Sequence, residues 1–204
     1  MTIPRGRFGA ALGGCLSAFL LAGTTTAVGA RQSAPGRSGD PAIPWSAERS
    51  LAWSQYAGRP DLGTTAAAMT VYKLSYQEEC AGEAFEFQVV TLFLPSRSWV
   101  KASVLSNFSG GGRLLAHEQG HFDLSEVQAR KLRRALGRLE HPCAMTWDAR
   151  RALVRQHVRD DLEAQYRYDR DTGYGSNETR QVRWLLDIGR QLAALTDFAD
   201  GGPR

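Results

Sequence analysis

The sequence lacks several features that mark whole classes of protein. Beyond residue 30 it has no apolar run close to the roughly 20 residues that a membrane-spanning helix needs, which excludes further spanning segments. It has no internal repeat and no sustained heptad pattern, which excludes solenoids and coiled coils. What remains is a chain of 204 residues with room for one core of ordinary size.

Net charge is also low. Of the formal net charge of +4, two charges belong to Arg5 and Arg7, so +2 remains beyond residue 30. The basic residues of the stretch 130–134 fall on a predicted helix with leucines. We interpret them first as a solvated face, and a phosphate-binding stripe is the weaker alternative. Nucleic acid is therefore not an expected partner.

The amino terminus has the pattern of a secretory signal peptide. Arg5 and Arg7 precede an uncharged stretch with an apolar centre at residues 16–22. Modest side chains at residues 28–30 predict cleavage before Arg31, so residues 1–30 are the signal peptide and the mature protein is periplasmic or secreted. The alternative is an uncleaved anchor, but the glycines and threonines of this stretch make a poor permanent helix.

Cysteine is scarce, with three residues in the whole chain. Removal of the signal peptide takes away Cys15 and leaves an even pair in a chain bound for an oxidising compartment. We predict a disulfide between Cys80 and Cys143, which would close a loop of about 64 residues and stabilise the fold by roughly 4 kcal/mol in the chain-entropy model. The alternative is two buried thiols.

The mature sequence predicts one α+β domain over residues 45–200. Residues 31–44 are mostly Gly, Pro, Ser and Arg with almost nothing to bury, so they predict a flexible linker. Two stretches rich in β-branched and aromatic residues, 68–76 and 85–94, predict a small antiparallel sheet or meander with a turn at residues 80–83.

Three long helices follow and predict a helical bundle against which the sheet packs. The glycines of residues 109–112 are expected to break regular structure, and a helix then runs from about Arg113 to Leu139. A second runs from Trp147 to about Arg170, and a third is capped at residue 176 or 177. The predicted buried positions of these last two helices are Leu153, Val154, Val158, Leu162, Tyr166, Val182, Leu185, Leu186, Ile188, Leu192 and Leu195.

The first long helix carries a pattern typical of zinc sites, His117-Glu118-Gln119-Gly120-His121. The histidines are one turn apart, so both rings can bind one Zn²⁺ at about 2.0–2.1 Å, on the side of the helix that carries its apolar residues. Glu118 can take the proton of a water whose pKa the metal lowers to about 7, and later pass it to a leaving amine. The alternative is a pair of core histidines satisfied by hydrogen bonds.

A catalytic zinc needs a third protein ligand and an open position, and no other histidine lies on this helix. The densest group of candidates is residues 166–175, where a helix ending in glycines carries Asp169 and Asp171. These two differ by about 200° around a helix, so only one is expected to face the metal.

Two acids nearer in sequence are weaker candidates. Asp123 and Glu126 point about 200° and 140° away from His121 on the same helix, so we expect them at the surface or as supports of the site. His141 and His157 have no partner pattern, and we expect neither to bind metal.

The residues that surround the motif carry a resemblance to a known family. The sequence resembles the bacterial family of predicted secreted zinc-dependent proteases known as domain of unknown function 922, over nearly the whole mature chain. The similar segments are 45–53, 98–101, 115–123, Tyr168-Asp169, Thr172 and Gly175.

The resemblance implies a zincin-like domain in which His117 and His121 bind zinc, Glu118 is the base and Asp169 is the third ligand. Relatives usually carry histidine at the position of Tyr174, where a tyrosine is either an unusual zinc donor or, more simply, a hydrogen-bond donor to a developing oxyanion. A competing match, of residues 171–175 with the Asp-x-x-Tyr-Gly of aspartate-ligand zincins, makes Asp171 the ligand.

The function expected from these residues is a secreted zinc-dependent metallopeptidase with one catalytic Zn²⁺ and a peptide or protein substrate. By analogy with zincins, the edge of the strand at residues 85–94 is expected to hold an extended substrate. Two alternatives stay open: a non-catalytic, zinc-stabilised envelope binding protein, and a zinc amidase acting on cell-wall amides.

Overall fold

The computed structural model describes residues 41–106 and 108–199, so the predicted signal peptide and most of the predicted linker lie outside the described residues. The described chain is α+β, with a small antiparallel sheet and four helices. The strands are β1 Ile43–Pro44, β2 Ala68–Met69, β3 Tyr72–Ala81, β4 Ala84–Phe93 and β5 Trp99–Val100. The helices are α1 Ala102–Leu105, α2 Phe108–Leu136, α3 Trp147–Thr172 and α4 Glu178–Ala194. Among the described helices, none has the length and apolarity needed to cross a membrane.

The predicted hairpin is present as β3 and β4, which pair antiparallel from Tyr72↔Phe93 to Ala81↔Ala84. Gly82 has a φ of 65° in the turn, a conformation that favours glycine. The stretch 68–76 is not one strand, however. Its first residues form β2, which pairs with β5 in a second, two-stranded sheet. Between β2 and β3, the Val71 amide donates to Ser98 Oγ at 2.9 Å.

The sheet also includes residues that we predicted as linker. Ile43–Pro44 form β1 on the outer edge of β4, with the Trp45 amide donating to the Thr91 carbonyl at 2.9 Å. Farther along this edge, Arg133 Nη2 donates to the Val89 carbonyl at 2.7 Å. Because these carbonyls are already paired, the expectation that this edge holds an extended substrate is wrong for its central part.

Helix α2 is the centre of the fold. Every residue from Leu124 to Arg130 is buried, because the sheet covers one side of the helix and α3 and α4 cover the other. The helix begins at Phe108, so the glycines of residues 109–112 do not break it as predicted. Gly111 lies close to α1, where an added Cβ would be 3.2 Å from the Val104 carbonyl, and its own carbonyl accepts from Trp53 Nε1 at 3.2 Å. Tertiary packing therefore outweighs the low helix propensity of glycine.

Helices α3 and α4 have the predicted positions, and their predicted apolar faces are buried in part. Val154 and Ile188 are buried as expected, whereas Tyr166 is 54% exposed. Val182 and Leu186 are likewise exposed, whereas the predicted Leu195, just after α4, is buried, and Gln181 is buried although it was not predicted to be. On α3 the buried face holds polar groups and an aromatic ring, which an apolar criterion does not select. Those buried residues are Asp161, Gln165, Tyr168 and Thr172.

The basic stretch of α2 is not the solvated face that we expected. Glu126 is 2% exposed and accepts hydrogen bonds from Arg130 Nε at 3.1 Å and Arg133 Nη1 at 2.8 Å. Both arginines are buried and reach onward to backbone carbonyls, Arg130 to Leu192 and Arg133 to Val89. Glu126 thus pairs with two cations that join α2 to β4 and to the end of α4.

The two cysteines lie at disulfide distance. Cys80 on β3 and Cys143, in the turn before α3, have Cα atoms 5.7 Å apart. A bond here would tie the end of the hairpin to the start of α3. The disulfide itself stays a prediction.

Replacing Glu126 by Ala leaves two buried guanidinium groups without their anion. We expect this change to lower the free energy of unfolding by about 3–5 kcal/mol, the usual cost of breaking a buried ion pair from one side. Denaturant titration of both variants measures it against Asp187→Asn. That control removes an exposed pair with Arg190, worth about 0–1 kcal/mol. Equal losses in the two variants would contradict the assigned role.

Candidate metal centre

Two helices bring His117, His121 and Asp169 together. α2 carries both histidines one turn apart, and α3 carries the aspartate. The Nε2 atoms of the histidines are 3.2 Å apart, and Asp169 Oδ1 is 3.2 Å from Nε2 of His117 and 3.0 Å from Nε2 of His121. Three side-chain atoms thus form a nearly equilateral triangle.

The triangle has the dimensions that a zinc ion requires. Ligand atoms about 2.0–2.1 Å from a tetrahedral zinc lie about 3.3–3.4 Å from one another. The observed separations, 3.0–3.2 Å, are slightly smaller, so small shifts admit the ion. Two imidazoles and a carboxylate are also donor types that zinc accepts at catalytic sites, with a fourth position left open.

The proton on His121 is placed by its partners. Gln165 Nε2 donates to the His121 carbonyl at 3.0 Å and to Asp161 Oδ1 at 3.1 Å, and both of these atoms are acceptors. The amide orientation is therefore determined, and Gln165 Oε1 faces His121 Nδ1 at 2.6 Å. The Nδ1 atom must carry hydrogen to donate to this oxygen. In the neutral ring, Nε2 then presents a lone pair to the triangle.

His117 is oriented in the same way by α4. The Tyr168 hydroxyl donates to the His117 carbonyl at 3.1 Å, so it accepts from Gln181 Nε2. Gln181 Oε1 then faces His117 Nδ1 at 2.9 Å and accepts its proton. The lone pair of His117 Nε2 therefore also points into the triangle.

Three lone pairs thus meet at one point, and a positive charge at that point satisfies all of them. The pKa values of His121 and Asp169 reflect the same preference for a positive charge between these atoms. Burial alone would lower the pKa of His121, but its hydrogen bond to Asp169, helped by the negative charges of Asp169 and Glu118, raises it to about 9. Burial would raise the pKa of Asp169, but the two imidazoles hold it well below its usual value.

Tyr168 and two glycines hold the histidine rings in place. The Tyr168 ring is fully buried and stacks on His117 with centroids 4.7 Å apart. It presses against Gly120, where an added Cβ would be 2.7 Å from Tyr168 Cζ. On another side of His117, a Cβ at Gly175 would be 3.0 Å from the ring, and the φ of 79° there also favours glycine. A larger residue at Gly120 would displace the Tyr168 ring, and one at Gly175 would displace the His117 ring.

A buried carboxylate supports the site from behind. Asp161 accepts hydrogen bonds from Gln165 Nε2 and, at 2.7 Å, from the Tyr72 hydroxyl. Burial raises the pKa of Asp161 to about 6 despite these donors. The hydrogen bonds from Tyr72 on β3 through Asp161 and Gln165 to His121 link the sheet to the candidate metal centre. Such outer contacts orient metal ligands.

Glu118 lies in the site without a partner. It is 4% exposed, and in the described part of the chain its carboxylate makes no hydrogen bond and no ion pair. Its charge nevertheless raises the pKa of His121, which shows that the two groups are close. Asp169 has a side chain 19% exposed, so the triangle is reachable from solvent on that side.

The remaining candidates are not part of the triangle. Asp171 is outside the triangle and pairs with Arg170 at the surface. Tyr174, our expected oxyanion donor, is 73% exposed and has a φ of 55°. Asp123 accepts from Trp45 Nε1 and Gln119 Nε2, both at 2.7 Å, and so anchors the start of the domain to α2.

Sequence reasoning missed Gln165 and Gln181 as site residues and gave Tyr168 no role of its own. One signal was available, because Asp161, Gln165 and Asp169 repeat every four residues and therefore share one face of α3. A polar stripe on a face otherwise expected to be buried indicates a functional network. For Gln181 we find no such signal, since its partners lie on two other helices.

Comparison with known families supports the resemblance stated above. The fold is a central helix packed on a small sheet, with a His–His–Asp cluster at the contact of two helices. Residues 45–175 match the family described as "Bacterial protein of unknown function (DUF922)". The match covers more than half of the chain and includes all three residues of the cluster, so this protein belongs to that family. Searches of curated proteins and of solved structures gave no match.

The assignment of Asp169 over Asp171 can be tested by metal binding. We expect the wild type to bind about one zinc per chain, and Asp169→Asn to lose tight binding because the triangle loses its anionic corner. Asp171→Asn is the matched control and should bind like the wild type. Gln165→Ala should weaken binding by roughly 10–100-fold, as expected for an outer contact.

Competition with a chromophoric chelator measures each affinity, and circular dichroism verifies that each variant is folded. A loss of zinc in Asp171→Asn as large as that in Asp169→Asn would contradict the assignment.

Proposed function

We propose that this protein is a zinc-dependent hydrolase of peptide bonds that acts in the periplasm or outside the cell. His117, His121 and Asp169 would hold the ion, as in zincin-like enzymes. One observation carries the proposal: three lone pairs converge at zinc-ligand separations next to a buried carboxylate that has no partner.

When bound, zinc would supply a Lewis acid that lowers the pKa of water and polarises a carbonyl group. Glu118 would accept the proton of the attacking water and return it to the departing amine. Gln165 and Gln181 would keep both imidazoles aimed at the ion by accepting their Nδ1 protons. Tyr168 would keep the His117 ring from turning, through stacking and its hydrogen bond to the backbone.

A comparison with the other buried acids supports a role for Glu118 in proton transfer. Glu126 is held by two arginines, and Asp161 accepts from a tyrosine and a glutamine. Glu118 is a similarly buried residue without a donor among the described residues, yet its carboxylate oxygens are not among the fully enclosed unpaired atoms, so water can reach them. An acid that meets water and not a protein donor is free to take a proton, which supports this role.

Tyr174 has features that favour a role on substrate binding. A non-glycine residue at positive φ costs roughly 1–2 kcal/mol, and here it also exposes a large phenol to solvent. The next residue, Gly175, lies against the His117 ring. We infer that the phenol donates a hydrogen bond to the oxygen of the scissile carbonyl as negative charge develops on it.

Replacing Glu118 by Gln should preserve zinc content and fold but lower hydrolysis by roughly 10²–10⁴-fold, because the amide cannot accept the proton. Mass spectrometry of digests of unfolded protein, a peptide mixture and peptidoglycan fragments measures the activity and separates a peptidase from a cell-wall amidase. Glu140→Gln, an exposed acid outside the site, is the control. Undiminished turnover in a zinc-loaded Glu118→Gln protein would refute the proposal.

If the wild type hydrolyses none of these substrates, the alternative of a non-catalytic, zinc-stabilised binding protein predicts a different result. Zinc removal would then unfold the protein or abolish partner binding, while Glu118→Gln would have no effect on either.

Tyr174→Phe should lower kcat by about 10²–10³-fold with little change in KM, because the lost hydrogen bond forms only as charge develops. Tyr166→Phe removes another exposed phenol on α3 and should leave both constants unchanged. Steady-state kinetics on the best substrate provide the measurement. A rise in KM alone would assign Tyr174 to ground-state binding.

A further inference from the structure

A groove of about 510 Å³ lies between α2 and α3, apart from the metal centre. It is formed by the second half of α2 and by α3, with Arg167 about 200° around α3 from Asp169. The lining includes five basic or titratable nitrogen groups and two acids. They are Lys131, Arg134, Arg138, His157, Arg167, Asp160 and Glu163.

The arginines of this groove differ in their surroundings from three buried arginines of the fold, since Arg134 is half-buried and Arg138 and Arg167 are exposed. Arg130, Arg133 and Arg150 are each held by a carboxylate. Within the described residues, Arg134 and Arg167 make no side-chain hydrogen bond and no ion pair, although two acids line the same groove. Their donors therefore remain available to a ligand.

Lys131 shows that these cations are close enough to repel one another. It is half-buried and donates to Gln191 Oε1 at 3.0 Å. Burial lowers its pKa and the positive charges of Arg134 and Arg167 lower it further, while the nearby carboxylates of Asp160 and Asp187 act in the opposite direction. An anion between these three groups would relieve the repulsion.

His157 adds a further group to the wall. Its Nδ1 atom is 3.0 Å from the Leu153 carbonyl and donates its hydrogen to that oxygen. Asp160 and Glu163 supply acceptors beside the cations. The groove therefore offers donors for an oxyanion and acceptors for hydroxyl groups.

We propose that the groove binds a small phosphate ester, whose phosphate lies between Lys131, Arg134 and Arg167 and whose hydroxyl groups face Asp160 and Glu163. Guanidinium groups fit the oxygen geometry of phosphate, and a groove of this size holds more than a bare ion. This site does not depend on the zinc centre. Of the two interpretations of the basic stretch at residues 130–134, the phosphate-binding one applies to Lys131 and Arg134.

Calorimetric titration of the mature chain with glycerol 3-phosphate tests the proposal, with inorganic phosphate, succinate and glycerol as further probes. We expect saturable binding of one glycerol 3-phosphate per chain, weaker binding of inorganic phosphate and none of glycerol. Added NaCl should weaken binding, because it screens partly exposed charges. The double variant Arg134→Gln/Arg167→Gln should bind at least about tenfold more weakly, because two charge-assisted hydrogen-bond donors are lost.

Arg155→Gln/Arg183→Gln is the matched control, since both arginines are exposed and lie outside the groove. It should bind like the wild type. His121→Ala should also retain binding, which separates this site from the metal centre. Unchanged affinity in the Arg134/Arg167 variant, binding of succinate equal to that of glycerol 3-phosphate, or loss of binding in His121→Ala alone would each overturn the proposal.

Discussion

The structure depends on one electrostatic constraint, the convergence of three lone pairs where α2 meets α3. Nε2 of His117, Nε2 of His121 and Oδ1 of Asp169 lie within 3.0–3.2 Å of one another. Such an arrangement is repulsive unless a positive charge is shared among the atoms. The rest of the site is arranged to keep these lone pairs facing inward.

The hydrogen-bond partners that orient the two imidazole rings contact Nδ1, on the side of each ring away from the triangle. Gln165 and Gln181 accept the Nδ1 protons, and each amide is itself oriented by further acceptors. Through Tyr72 and Asp161 the arrangement reaches the sheet, and through Gln181 it reaches α4. The helices and the sheet therefore stabilise the cluster together, and the missing side chain at Gly120 lets Tyr168 of α3 approach α2 closely.

The buried charges of α2 divide into two groups with different consequences. Glu126 is surrounded by donors and joins three elements, so its role is structural. Glu118 is equally buried and lacks such donors in the described part of the chain. The same residue type on the same helix therefore has opposite surroundings, which only the neighbouring side chains distinguish.

Local periodicity was enough to predict the hairpin, the three long helices and the inward position of both histidines. These depend on side chains close together in sequence, which the regular geometry of a helix or strand relates directly. Periodicity failed where a distant contact decided the outcome. The glycines at 109–112 are helical because α1 packs on Gly111, and Ile43–Pro44 pair with β4 although their composition resembles a linker.

The sequence by itself determined that His117, Glu118 and His121 share one helix face, since their spacing leaves no other arrangement on a helix. It left open whether Asp169 or Asp171 completes the cluster, and gave no indication of Gln181. Only the tertiary structure decided that Asp169 is the acid beside the histidines, and that Arg133 is buried while Arg134 faces a groove. Those outcomes depend on how each helix is rotated against its neighbours, which the whole core sets and no local pattern encodes.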